Sequence, residues 1–142
     1  MAKQTTATPI PPGQLQCVVV TPESTVLDEF VEFVALPLYD GEIGIARGRS
    51  AMLGRLGYGE MRIKTQGATR RFYVDGGFVE VAGNVVSVLT HQALQAEEID
   101  AEVAADQLET ARAKKADSPE LMEIRDRTVA QARAQLHMAK KN

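Results

Sequence analysis

All eleven glycines of this 142-residue chain lie between Gly13 and Gly83, and none follows. Glycine is scarce inside helices because ordering it costs more backbone entropy than ordering any other residue. It is common in tight turns because it reaches positive φ without a steric penalty. A chain partitioned in this way is two unlike structures in series. The aromatic residues obey the same division, all of them falling between Phe30 and Phe78, and after Gly83 the only proline is Pro119. The boundary falls in the stretch Thr90 to Glu98. It divides the chain into a tail at 1–14, a β-domain at 15–92 and a helical pair at 93–142.

The first half reads as short strands punctuated by glycine. Leu15 to Thr21 contains the β-branched run Val18-Val19-Val20 and stops at Pro22. Val26 to Ala35 is rich in Val and Phe. Glu60 to Thr65 alternates polar and apolar, the pattern of a half-buried antiparallel strand. Arg71 to Val74, Phe78 to Val81 and Val85 to Leu89 follow at short intervals. Their separators, Gly67, Asp75-Gly76-Gly77 and Gly83-Asn84, have the chemistry of hairpin turns. Many short strands so punctuated predict an antiparallel sandwich or barrel.

The second half reads as a helical hairpin. Ala101, Ala104, Leu108 and Ala111 recur at helical spacing, and the pattern is lost at Lys114 to Asp117. Ser118-Pro119 then reads as an N-cap followed by proline at the first helical position. Leu121, Ile124, Thr128, Ala132, Leu136 and Ala139 trace a second stripe. In each helix acidic residues precede basic ones, as the helix dipole favours. The first stripe is mostly alanine and the second holds alanine at two of its six positions. Burying a methyl contributes only about a third of what a leucine does, at ~0.8 kcal/mol per carbon group. The hairpin therefore leans on another surface and can detach from it.

Several function classes are excluded. A net charge of −3, no Trp and few aromatics argue against nucleic-acid binding. Cys17 is the only cysteine, so no intramolecular disulfide or thiolate cluster can form, and it reads as a small apolar residue on a buried strand. His91 and His137 sit in no metal-ligand spacing. No stretch approaches the roughly 18 apolar residues a spanning helix needs. The segment Met1 to Gln14 lacks an apolar signal core and reads as a disordered tail of a protein that stays where it is made. Gly44-Ile45-Ala46-Arg47-Gly48-Arg49-Ser50 fails as a phosphate loop, because the glycine interval is three and arginine stands for lysine. Glu97-Glu98 reads as a dipole-matched cap, and Ser50 has no histidine nearby in sequence. Nothing supports an enzyme, a cofactor or a metal site.

Asp40-Gly41-Glu42-Ile43-Gly44-Ile45-Ala46-Arg47-Gly48-Arg49-Ser50-Ala51-Met52-Leu53, followed by Gly59-Glu60-Met61-Arg62-Ile63, resembles a hallmark of ATP synthase epsilon subunits. That family reads G-E-[LF]-G-I-x-P-G-H-A-P-L-L and then P-G-x-[LV]-R-I. Gly76-Gly77-Phe78-Val79-Glu80-Val81 with Asn84 to Leu89 is similar to the family's G-G-F-x-E-V-x-x-N-x-V-T-V-L. Ala96-Glu97-Glu98-Ile99-Asp100 is similar to its A-E-x-I-D at the first helix. Together these span Leu15 to the C-terminus.

The resemblance implies a β-sandwich of about ten strands followed by an antiparallel two-helix hairpin. It also implies a non-catalytic rotor subunit of the proton-translocating F-type ATP synthase that couples gamma rotation to the c-ring. The sandwich would bind the gamma subunit. Gly41, Glu42, Ile43 and Gly44, with Arg49, Ser50, Ala51 and Met52, would touch the c-ring, Glu42 as the polar anchor. The hairpin would fold down on the sandwich or extend toward the catalytic head, inhibiting ATP hydrolysis. There Arg112, Arg125, Arg127, Arg133, Lys140 and Lys141 would engage, transiently, an acidic segment of the catalytic beta subunit. The implied location is peripheral, on the cytoplasmic face of a bacterial inner membrane, with membrane contact only through the complex.

Three departures qualify this. Arg49 and Ala51 replace the family's histidine and proline, exchanging a titratable ring for a fixed cation. Val103 stands where nucleotide-binding members have the arginine of D-x-x-R-A, and Gln131 and Gln135 stand at two further arginine positions, so weak or absent ATP binding is expected. On sequence, two alternatives stay open: an inhibitory switch whose main element is the mobile hairpin, and a free-standing sandwich adaptor that docks partners through its helices.

Overall fold

The computed structural model describes residues 9–141. The first eight positions of the expected tail, and Asn142, lie outside the described residues. Eight strands precede the helices: β1 Leu15–Val20, β2 Thr25–Val31, β3 Phe33–Leu38, β4 Gly41–Ile45, β5 Met52–Thr65, β6 Ala68–Ala82, β7 Val85–Leu89 and β8 Ala93–Gln95. A 3-10 turn at Ala96–Glu98 leads into α1, Ala101–Ala113, and α2, Pro119–Lys140. The expected sandwich-plus-hairpin class holds, with eight strands rather than about ten.

The strand count differs because β5 and β6 are each continuous through glycines expected to be turns. They pair antiparallel along their whole length, from Met52↔Val81 to Thr65↔Ala68. True two-residue hairpin turns occur at Gln66-Gly67 and Gly83-Asn84, where all four residues have positive φ. Asp75-Gly76-Gly77 instead bends β6. Along β6 the side chains that enter the sandwich core are Phe72 and Val74 before the bend, then Val79 and Val81 after it. The two positive-φ glycines thus reverse the pleat, and one strand serves both layers. Gly77 admits no side chain: at φ +105, a Cβ would lie 1.9 Å from the Leu89 carbonyl oxygen.

The strand order is β2-β1-β7-β6-β5-β3-β4, with β8 added to β6. One half of β6 carries β7 (Phe78↔Leu89) and the other carries β8 (Phe72↔Gln95). β1 and β7 run parallel, and the other pairings are antiparallel. The run Val26–Ala35 divides at Glu32, where the chain leaves β1 and joins β5 through Glu32 N–H donating to the Lys64 carbonyl at 2.8 Å. Leu15, Cys17 and Val19 of β1, Val86 and Val88 of β7, and Met61 and Ile63 of β5 point into one core. This is the inward alternation of a packed sandwich.

Both helix starts are capped, the second as its sequence predicts and the first by Asp100 rather than by Glu97-Glu98, which lie in the preceding turn. Asp100 accepts from the Glu102 and Val103 N–H groups at 2.9 and 3.3 Å. Ser118 accepts from Leu121 N–H at 3.2 Å, with Pro119 as the first helical residue. Ala104, Leu108 and Ala111 of the first stripe are buried. The second stripe is a correction. Ala132 is buried, whereas Leu121, Ile124 and Thr128 stay exposed and line an open groove of about 580 Å³ with Val103 and Thr110. The alanines of α1 are too short to close over it.

Candidate functional site

The hairpin lies against the outer face of β5 and β6. The seam has a small apolar centre, in which Tyr73, Ala96 and Met138 are fully buried with Leu94, Ile99 and Ala134 against them. Polar contacts surround it. Glu60 of β5 accepts from Arg71 Nε of β6 and from Lys141 Nζ, the latter at 3.2 Å. Arg71 Nη2 also donates to the Met138 carbonyl at 3.0 Å, joining the strand to the last turn of α2. Asp75, at the bend of β6, accepts from Tyr73 Oη and from Gln131 Nε2, both at 2.8 Å. Burial alone would raise the Glu60 carboxyl, but hydrogen bonds from Arg71 and Lys141 outweigh it and hold the group below its ordinary range. Burial, followed by the Asp75 charge, pushes the Tyr73 phenol up. Both groups keep a fixed charge state at neutral pH, so the seam is a standing set of contacts.

The positions expected at the c-ring fall into two patches. Gly41–Ile45 form the edge strand β4, not a loop, paired with β3 through Leu38↔Gly41 and Pro37↔Glu42. Glu42 holds Arg62 through two hydrogen bonds of 2.9 and 3.3 Å. Ile43 packs on the core. Gly44 backs onto Phe33, whose Cζ would lie 2.7 Å from an added Cβ. Arg49, Ser50 and Ala51 lie beyond the other end of β4, and Met52 opens β5. Four residue steps of strand, roughly 13 Å, separate Gly41 from Ile45. The second patch shares its end of the sandwich with two anchored segments. Gly48 N–H donates to Asn84 Oδ1 at 2.8 Å, and Arg47 Nη1 donates to the Pro11 and Gln14 carbonyls at 3.1 and 3.0 Å.

The basic residues of the helices divide by face. Arg127 lines the cleft between α2 and the sandwich beside Tyr39 and Arg55, and Lys141 is held by Glu60. Arg125, Arg133 and Lys140, at spacings of eight and seven, share another side of α2. Arg125 lies 3.5 Å from Asp126, and Arg112 is exposed on α1. Gln131, at a family arginine position, is committed to Asp75, and Gln135 stands at the other such position on the same helix. Val103 is half exposed in the groove between the helices.

Sequence reasoning missed the seam residues Glu60, Arg71, Tyr73 and Asp75, and it missed an apolar outer face. Leu53, Phe78 and Leu89 are 74, 55 and 53% exposed, which leaves three large apolar side chains without cover. Leu53 stands opposite Glu80, Arg55 opposite Phe78, and Phe78 opposite Leu89. All therefore share one face of β5, β6 and β7. Val20 and Pro22 extend the patch beside Phe78 and Leu89. Tyr39 joins it beneath the Arg55 guanidinium, 4.6 Å from its ring centre. The signal was present at Phe78, which alternation puts on the polar side with Glu80.

Residues 14–96 match the family described as the ATP synthase Delta/Epsilon chain, beta-sandwich domain. The ATP synthase epsilon chain of Rhodopirellula baltica is 45% identical over 126 residues, covering 89% of this chain and 98% of that one. That of Carboxydothermus hydrogenoformans is 45% identical over 94 residues, 66% of this chain and 70% of the relative. Among solved structures, a chain of the Euglena gracilis mitochondrial ATP synthase superposes with a TM-score of 0.81 at 24% identity, over 97% of this chain and 87% of its own. A chain from the central stalk and c-ring of the Tetrahymena thermophila mitochondrial ATP synthase gives 0.70 at 16%, over 88 and 96%. Both show the same fold.

Proposed function

The chain belongs to the epsilon-subunit family of F-type ATP synthases, non-catalytic members of a membrane-associated complex, and on that footing we propose that it couples gamma rotation to the c-ring. The observation that carries this reading is the uncovered apolar face of Leu53, Phe78, Leu89 and Tyr39. An apolar patch of this kind marks a protein–protein contact, and we assign it to the gamma subunit. The c-ring would meet Gly41–Gly44 and Arg49–Met52, two patches rather than one. No helix among the described residues is long and apolar enough to cross a membrane, so attachment would run through the complex. The proposed location is the cytoplasmic face of a bacterial inner membrane.

The docked hairpin is the down state of an inhibitory element. Release would free Arg127 and Lys141 to join Arg112, Arg125, Arg133 and Lys140 in meeting an acidic segment of the catalytic beta subunit. Support comes from the narrow, alanine-rich seam and from the division of these cations between two faces. ATP has no place in the switch, because Val103, Gln131 and Gln135 stand where nucleotide-binding members carry arginine and Gln131 is spent on Asp75.

The test is co-purification. Leu53→Asp with Phe78→Asp is expected to abolish capture by gamma while circular dichroism stays unchanged, and normal capture overturns the assignment. In the assembled complex, removing residues 96–142 is expected to raise ATPase activity, and unchanged activity removes the inhibitory role. Calorimetry is expected to find no ATP binding to the isolated protein, and affinity at millimolar or tighter would reverse that reading.

A further inference from the structure

Glu60 joins the hairpin seam to the edge strand β4 through a shared pair of atoms. Its Oε2 is held by Arg71 Nε. Its Oε1 has two competing cations: Lys141 Nζ at 3.2 Å and Arg62 Nη1 at 3.7 Å. That same Arg62 Nη1 donates to Glu42 Oε2 at 2.9 Å, while Nη2 reaches Glu42 Oε1 at 3.3 Å. One nitrogen is thus divided between Glu42 and Glu60, and one oxygen between Arg62 and Lys141. The order Glu42–Arg62–Glu60–Lys141 runs from β4 across the outer face of the sandwich to the cap of α2.

From this geometry we infer that Glu42 and the hairpin are coupled: whatever takes the Glu42 carboxylate releases Arg62 to Glu60 and displaces Lys141. As things stand, the bidentate grip of Glu42 keeps Arg62 turned toward β4 and leaves Glu60 Oε1 to Lys141. A partner cation or donor that captures Glu42 removes that grip. Arg62 then closes the remaining distance to Glu60, whose carboxylate is largely buried at 12% exposure and cannot turn away while Arg71 holds its other oxygen. Glu60 already has all three cations within 4 Å, so an Arg62 that moves closer competes with Lys141 for the same Oε1. The planar guanidinium carried on a strand prevails over the single ammonium on its flexible four-carbon stem. Contact at Glu42 thereby favours an open hairpin. The inference rests on the reading above in which the hairpin releases from the sandwich, and it adds the surface that controls the release.

Hydrogen exchange of the full-length protein tests it in four forms: the unaltered chain, Glu42→Gln, Glu60→Gln and the two together. Glu60→Gln removes both seam ion pairs and is expected to speed exchange in the last three turns of α2 about tenfold. Glu42→Gln is expected to speed it by a factor of two to five, the range of exposed ion pairs. Combined with Glu60→Gln, it should add nothing, because the middle of the chain of contacts is gone. Exchange in β1 and β7 should not change in any form, which reports an intact sandwich. If the two factors multiply, or Glu42→Gln has no effect, the coupling is overturned and the mobile hairpin stands. If Glu60→Gln leaves α2 exchange unchanged, the releasing hairpin itself is wrong and the coupling falls with it.

Discussion

Gly77 shows at one residue what the sequence could and could not disclose. Glycine at 76–77 announced positive φ, and both positions have it, at +70 and +105. Whether the chain then reverses or merely bends depends on which strands flank it, and that is set by non-local pairing with Leu89 and Leu56. Because a Cβ at 77 would overlap the Leu89 carbonyl, Gly77→Ala is expected to cost more than about 3 kcal/mol and to leave little folded protein. Urea denaturation would show it, and a loss under 1 kcal/mol, the ordinary surface range, would contradict the geometry. Cys17 was legible in full. Strand alternation put it inside, and burial there pushes its thiol up to about 12. The thiolate is the reactive form, so alkylation by iodoacetamide is expected to be negligible at pH 8 until the protein is unfolded.

At the scale of the element, helix boundaries were readable because caps are local. Ser118 and Pro119, which mark the start of α2, each act within three residues of themselves. The seam was not readable, because Glu60 and Lys141 are far apart in sequence and neither has a distinctive neighbour. The exposed Leu121, Ile124 and Thr128 mark the same limit: helical spacing tells which side is apolar but not what covers it. Two consequences belong here. Met138 is almost fully buried in the seam. Met138→Ala is therefore expected to weaken hairpin docking by about 2 kcal/mol or more, seen as loss of exchange protection confined to α2 and the Ala96–Glu98 turn. The second concerns pH. Arg71 stays beside Glu60 whether or not the hairpin is docked, so the part of the lowered Glu60 value that belongs to docking is the Lys141 contact. That contact stabilises docking above the ordinary 4.5 and is lost as pH falls through the lower, docked value. Methyl NMR of Met138 should report release on acidification below about pH 4.5, in a range that Glu60→Gln abolishes. A profile shared by both proteins would assign the acid response to a group other than Glu60.

For the molecule as a whole, the sequence disclosed two parts but not their degree of independence. The parallel β1–β7 pairing, the two-layer service of β5 and β6, and the contact of α2 with β5 are all products of residues distant in sequence. The structure answers the question of independence through its two apolar clusters. The large core draws only on β1 to β8, and no residue of α1 or α2 belongs to it. The seam cluster is small, and its sandwich members Tyr73 and Leu94 can be left at a surface. A chain ending at Gln95 should therefore fold. It loses the ion pair at Glu60 and the cover over Tyr73, while every strand pairing is retained. The expected result is a single cooperative thermal transition with unchanged β-type circular dichroism, lowered by no more than about 8 °C, the shift that ~1 kcal/mol produces in a domain of this size. A truncated chain that is molten or aggregated would show that the hairpin completes the sandwich. It could not then be a part that comes and goes, and the proposal of a releasing inhibitory element would have to be withdrawn.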